Sequence, residues 1–187
     1  GARETDLALN NDRYIHVPWG GRARPDPSAI YLASVEGTVR DITVTLEGLH
    51  HTYPADVEVL LVGPGGRSVV LMANAGGGVD VEATLTFHDA GAAMPLSGTL
   101  TSTVVYRPTN HGLTGDLPQP APAGPYGGGL SVFNNASPNG WWRLYVYDTF
   151  GSDGGDIAGG WGLTLTTRTT DTVTLSDALP AGLTGVG

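Results

Sequence analysis

The stretch Trp141-Trp142-Arg143-Leu144-Tyr145-Val146-Tyr147 alternates two sets of side chains. In an extended strand Trp142, Leu144 and Val146 point one way, and Trp141, Arg143, Tyr145 and Tyr147 the other. The aliphatic content assigns the first set to a core, so this segment is a strand with one buried face. The same period recurs outward along the chain. From Val39 to Leu49, Ile42, Val44 and Leu46 share a face opposite Asp41, Thr43, Thr45 and Glu47, the pattern of a strand with one wet side. Val57–Val62 (VEVLLV) is apolar on both faces and runs into Gly63-Pro64-Gly65-Gly66. It is predicted to be a central strand hairpinned to Ser68–Met72. Ala83–Phe87, Thr99–Tyr106, Leu130–Phe133 and Trp161–Thr167 are further predicted strands. No stretch keeps the i, i+3, i+4, i+7 spacing of an amphipathic helix. The expected fold is all-β, a jelly-roll β-sandwich.

Composition agrees. The 187 residues make one domain, enough chain to bury roughly 70% of its unfolded surface. All nine basic residues are Arg, and 13 of the 18 acidic residues are Asp. Lys is absent and Glu and Met are few, so several strong helix formers are scarce. A net charge of −9 repels polyphosphate, which argues against nucleic acid and anionic membranes as partners. Cysteine is absent, which removes disulfides, thiol chemistry and thiolate metal sites. No apolar run is long enough to cross a bilayer. Asp is both a turn residue and a compact oxygen ligand, so the acidic excess reads either as turn chemistry or as a calcium signature.

Between Arg107 and Gly129 lie five prolines and six glycines without strand pattern. A loop of this length is expected to be functional or to cross between sheets. Residues 1–29 are read as an N-terminal extension contributing a strand, 30–168 as the sandwich, and 169–187 as a tail or linker docked on it.

Two segments carry more identity than β patterning does. One is His51-Thr52-Tyr53-Pro54-Ala55-Asp56-Val57-Glu58-Val59-Leu60-Leu61-Val62-Gly63-Pro64-Gly65-Gly66. The other comprises Leu130-Ser131-Val132-Phe133, Asn139-Gly140-Trp141-Trp142-Arg143-Leu144-Tyr145-Val146-Tyr147-Asp148, Asp153-Gly154-Gly155-Asp156-Ile157 and Trp161-Gly162-Leu163-Thr164-Leu165. With Thr86-Phe87-His88-Asp89 between them, they resemble the P domain (homo B, or proprotein convertase domain) that follows the catalytic domain in kexin-like and bacterial subtilisin-like serine proteases. The resemblance covers roughly Ile30 to Thr167 in order. It departs at His88, where bacterial relatives often carry Asp, and at Trp141, where the family residue is more often small or polar. It implies a galactose-binding-domain-like jelly roll, non-catalytic, that stabilises or regulates a protease catalytic domain in the same or another chain. An extracellular setting is also implied, secreted or on the cell surface, and so is bound Ca²⁺.

The candidate calcium ligands are Asp148, Asp153 and Asp156 in one glycine-rich loop, with Asp56 and Asp89 from strand ends. Their spacing does not match an EF-hand frame. No nucleophile motif surrounds any serine, so no catalytic residue is assigned. His50-His51 beside Asp56 could pose as an acid–base pair, but a buried His51 tying down the turn is the simpler reading. Zinc spacings, a paired-carboxylate cleft and a phosphate loop are likewise absent. Trp141, Arg143, Tyr145 and Tyr147 form either a packing surface under a loop or a stacking platform. A carbohydrate- or surface-binding module using these residues, with Trp19 or Tyr126, is the alternative function.

Overall fold

The computed structural model describes residues 1–113 and 115–170. The expected docking of the 169–187 tail lies, from residue 171 on, outside the described residues. The strands are β1 (Ala2–Asn11), β2 (Ile15–Val17), β3 (Gly21–Arg22), β4 (Ser28–Leu32), β5 (Thr38–His51), β6 (Val57–Val62), β7 (Ser68–Ala73), β8 (Val81–Ala92), β9 (Val105–Tyr106), β10 (Thr109–Asn110), β11 (Gly140–Asp148), β12 (Gly155–Ile157) and β13 (Trp161–Thr170). They form two sheets. One runs β1-β13-β5-β12-β2, with β8 on β5 and β9 on β8; the other runs β10-β7-β6-β11-β3, with β4 also on β11. The chain is an all-β sandwich.

The inner faces supply one core. Ile42, Val44, Leu46, Phe87, Leu163 and Leu165 from the first sheet are buried in the same cluster as Val59, Leu61, Leu71, Trp142, Leu144 and Val146 from the second. The period-two reading of β5 and β11 is therefore what the sandwich uses. β6 is buried at every position, as its two-sided apolar pattern demands, and it lies between β7 and β11.

Two glycines shape the frame. At Gly48 (φ +70°) the pairing of β5 with β8 shifts register between Leu46 and Leu49. A left-handed residue here bends the strand. One edge of β5 thus pairs with β13 as far as Leu46 and with β12 from Leu49 to His51. At Gly63 a Cβ would lie 2.7 Å from the Phe133 ring and 3.0 Å from Trp142. Only a residue without one lets these two rings meet edge-on at 5.0 Å.

Two predicted strands are not strands. Leu130–Phe133 is a 3₁₀ turn, because the Asp89 carboxylate accepts the N–H groups of Leu130 (2.7 Å) and Ser131 (2.8 Å). A side chain has taken donors that a ladder would need. Of Thr99–Tyr106 only Val105–Tyr106 pairs, in parallel with β8. Ser102 Oγ accepts the Thr84 N–H (3.0 Å) and Tyr106 Oη accepts that of Thr101 (3.0 Å). Hydroxyls stand in for part of the strand edge.

The long loop crosses the outer face of the second sheet. Leu117 and Ala121 are buried there with Leu60, Val62, Val70, Ala73 and Tyr145, while Leu113, Tyr126 and Tyr147 pack at the margin. Its proline and glycine content fits a segment held by side-chain packing and by bonds such as Arg22 Nη1 to the Gln119 carbonyl (2.8 Å).

One buried polar atom stands out. Asp26 Oδ2 makes no hydrogen bond among the described residues; its nearest cation is Arg22 Nε at 3.9 Å, and the side chain is only 10% exposed. Burial raises this carboxyl above the usual range, against the pull of Arg22. A raised native pKa means the folded chain holds the proton more tightly than the unfolded one. The ionised group therefore costs stability at neutral pH, and the cost disappears as pH falls through the native value and below the unfolded one. Asp26→Asn is expected to raise Tm at pH 7 by about 1–3 °C. That advantage should shrink in thermal melts taken near pH 3.5; one that is equal at both pH values would show that Asp26 carries no such cost.

Candidate functional site

The end of β5 and the end of β11 meet at a buried pair. His51 Nε2 lies 2.8 Å from Asp148 Oδ2, and both side chains are fully buried. His51 Nδ1 accepts the Tyr53 N–H at 3.0 Å. A ring nitrogen that accepts a backbone N–H carries a lone pair, so the proton sits on Nε2 and is donated to Asp148. The other carboxylate oxygen, Oδ1, accepts the Phe150 N–H at 2.9 Å. Both ring nitrogens are thus engaged, and this histidine has no free position from which to act as a base. It holds the turn after β5 to the turn after β11, which Thr149 N–H to Asp56 O (2.9 Å) also ties.

Above the pair opens a cleft of about 310 Å³ lined by Tyr53, Asp56, Phe150, Ser152 and Asp153. Tyr53 is 44% and Phe150 62% exposed. Trp19, 76% exposed, lies against Gly154 in the next turn. Burial and the nearby Asp148 carboxylate push the Asp56 carboxyl up. The Ser152 and Thr52 hydroxyls, both at 2.9 Å, hold that of Asp153 below the ordinary range. Carboxylates bracketed by exposed aromatic rings make this end suited to a partner that brings positive charge and apolar surface.

The structure divides the five candidate calcium ligands. Asp56, Asp148 and Asp153 gather at this end. Asp156, on β12, accepts the Tyr14 hydroxyl at 3.2 Å. Asp89 caps the 3₁₀ turn. Among the described residues no group of three His, Asp or Glu has metal-holding geometry. Asp148 is fully buried with both oxygens in protein hydrogen bonds, whereas Asp56 and Asp153 line the cleft as hard oxygen donors, the Asp153 oxygens already accepting from the Thr52 and Ser152 hydroxyls. That chemistry suits Ca²⁺, but the number of donors falls short of a full cage.

The proposed aromatic ladder is split. Tyr145 is buried and Tyr147 half-buried beneath the long loop. Only Trp141 remains 46% exposed, its ring 4.9 Å from Tyr31 with the Arg143 guanidinium 5.7 Å above it. Tyr126 donates its hydroxyl to the Pro122 carbonyl (2.7 Å) and braces the loop. Phe150 and Tyr53 were not among the sequence-derived candidates. Their isolated positions in turns carry no periodic signal, and only the cleft reveals them.

No protein-family model matches this chain, and no curated protein matches it. Solved structures that match include the complex of Aeromonas sobria serine protease with a chaperone, at TM-score 0.41 and 15% identity over 91% of this chain and 28% of that one. The serine protease of Aeromonas sobria by itself matches at TM-score 0.41 and 14% identity, over 89% and 27%. The chain therefore spans little more than a quarter of the length of the solved chains it is similar to.

Proposed function

We propose that this chain is a non-catalytic accessory β-sandwich of the P-domain kind, which docks on a subtilisin-like serine protease catalytic domain in an extracellular setting. The observation that carries this reading is where the P-domain-like motifs meet. The His51 turn and the strand-end Asp148, 97 residues apart, form the buried pair, while Trp142, Leu144, Val146 and Trp161 fill one core. The most distinctive residues of the resemblance thus serve as framework, and the cleft with Tyr53, Asp56, Phe150 and Asp153 is the docking end. No helix of the described residues is long and apolar enough to cross a membrane.

The test is to titrate the chain onto a subtilisin-type catalytic domain and follow thermal inactivation and peptide hydrolysis. A rise in the enzyme's inactivation midpoint that Asp56→Lys and Phe150→Ala abolish supports the reading. An enzyme unchanged in both stability and rate overturns it. Retention on a glycan column, lost in Trp141→Ala, would favour the carbohydrate-binding alternative, for which the exposed Trp141 with Tyr31 and Arg143 is the supporting observation.

Calcium enters as a weak surface stabiliser held by Asp56 and Asp153. An ion bound only by the native state adds about 1.4 kcal/mol at tenfold above its Kd. For a domain of this size that raises Tm by about 3–5 °C. Melting curves in EDTA and in millimolar Ca²⁺ check this, and coincident curves remove calcium from the reading.

A further inference from the structure

β1 is the outer strand of the first sheet. Among the described residues it pairs with β13 alone, in consecutive antiparallel pairs from Ala2↔Thr170 to Asn11↔Trp161 without a register shift. Its other edge is open. Such an edge leaves every second N–H and C=O unpaired, and proteins commonly blunt it with proline, lysine, a bulge or short length. β1 has none of these. Its core-side cover is also incomplete. Leu7, Leu9 and Val35 pack against the core yet stay only half-buried, and beside them opens a cavity of about 230 Å³ whose lining includes Arg3, Thr5, Leu7 and Val35.

The sequence of β1 decides what can extend it. Continuing the sheet into a second copy of this chain, about a two-fold axis normal to the sheet, sets residues of like parity opposite each other, so the core-side faces stay together. An axis at Arg3, Glu4 or Asp6 brings that charge against itself, and an axis at Thr5 sets Glu4 opposite Asp6 twice. Like charges directly opposite are destabilising. With the axis at Leu7 none meet: Leu7 faces Leu7, Asp6 faces Ala8, Thr5 faces Leu9, Glu4 faces Asn10 and Arg3 faces Asn11. Moving the axis on to Ala8 leaves Arg3 and Glu4 unpaired and shortens the ladder. The Leu7 axis also brings Leu9 of the second copy beside Thr5, in the wall of the cavity, where it adds apolar cover next to Leu7 and Val35.

We propose that this chain forms a two-fold dimer by antiparallel pairing of β1 with β1 centred on Leu7, which joins the first sheets of the two copies into one. The pairing consumes both β1 edges, so it closes at two copies and does not run on into a fibre. A one-strand interface lies at the small end of the specific range, so the association is expected to be micromolar. It uses no residue of the docking cleft and does not rest on the protease-accessory reading.

The test is sedimentation velocity of the whole chain over a micromolar concentration series, beside Ala8→Asp and Ala8→Lys. Ala8 is exposed and lies across from Thr164 on β13, so neither change should disturb the monomer. In the Leu7 register position 8 faces Asp6 of the second copy on both sides of the axis. Ala8→Asp should therefore weaken dimerisation at least about tenfold, the cost of two like-charge contacts, and Ala8→Lys should leave it equal or tighter. A parent chain that stays monomeric throughout, or grows past two copies, overturns the proposal. So does a dimer that Ala8→Asp leaves intact, which would put the contact elsewhere, or one that Ala8→Lys weakens as strongly as Ala8→Asp, which would mean a different register.

Discussion

His51→Ala is expected to lower stability by about 3–5 kcal/mol, because it takes away the donor that compensates the buried Asp148 charge. The variant would leave the Asp148 carboxylate without exposure and with only the Phe150 N–H, and would strip the Tyr53 N–H of its acceptor. Asp148→Asn should cost less, since the amide oxygen still accepts from one neighbour. His51→Leu combined with Asp148→Leu should cost less than the two single changes summed, because groups that satisfy one another are not additive. Denaturant titrations of these variants settle the point. A loss under about 1 kcal/mol for His51→Ala would mean that water reaches Asp148. The proposed docking cleft adjoins the turns that this pair holds, so His51→Ala should also abolish any effect on a protease partner.

Trp142→Ala is the second large loss, at about 3–5 kcal/mol. The indole is 1% exposed, meets Phe133 edge-on, and donates Nε1–H to the Pro138 carbonyl at 2.9 Å. Gly63 has given up its own side chain to admit it, so the surroundings have little to collapse with and a cavity remains. Trp142→Phe should recover most of the packing and still lose the hydrogen bond, about 1 kcal/mol. Trp141→Ala, one residue away but on the open face, should change stability by no more than about 1 kcal/mol. If urea midpoints fall equally for the two alanine variants, the face assignment of β11 is wrong.

Why the faces could be read in advance, and the site only partly, follows from the range over which each signal acts. The period of two in Val39–Leu49 and Trp141–Tyr147 is a local property of a strand, and a face buried on one side imposes it whatever the partner strands are. The two-sided apolar run of β6 likewise announces a central strand. His51 as a turn-tying buried residue was legible from its place in the His-Thr turn, but its partner was not, since nothing in the local chain marks Asp148 over the other aspartates. Leu130–Phe133 looks like a strand by composition, and only Asp89, 41 residues upstream, turns it into a 3₁₀ segment. The Pro- and Gly-rich loop offers no period at all, and its cover over Tyr145 rests on scattered residues such as Leu117 and Ala121 that acquire meaning only against that surface.

From the sequence alone came the fold class, the buried face of each principal strand, the acidic and cysteine-free character, and the family resemblance. The first three are set by periodicity and composition and the resemblance rests on short quoted motifs, none of which needs knowledge of distant neighbours. The tertiary structure decided which aspartates share a site, that the Trp141–Tyr147 strand is covered at Tyr145, and that Asp26 Oδ2 is buried without a hydrogen bond among the described residues. Each of these depends on groups separated along the chain being brought to hydrogen-bonding or van der Waals distance. Such interactions act over a few ångströms of space, and only the folded chain determines which residues lie within it.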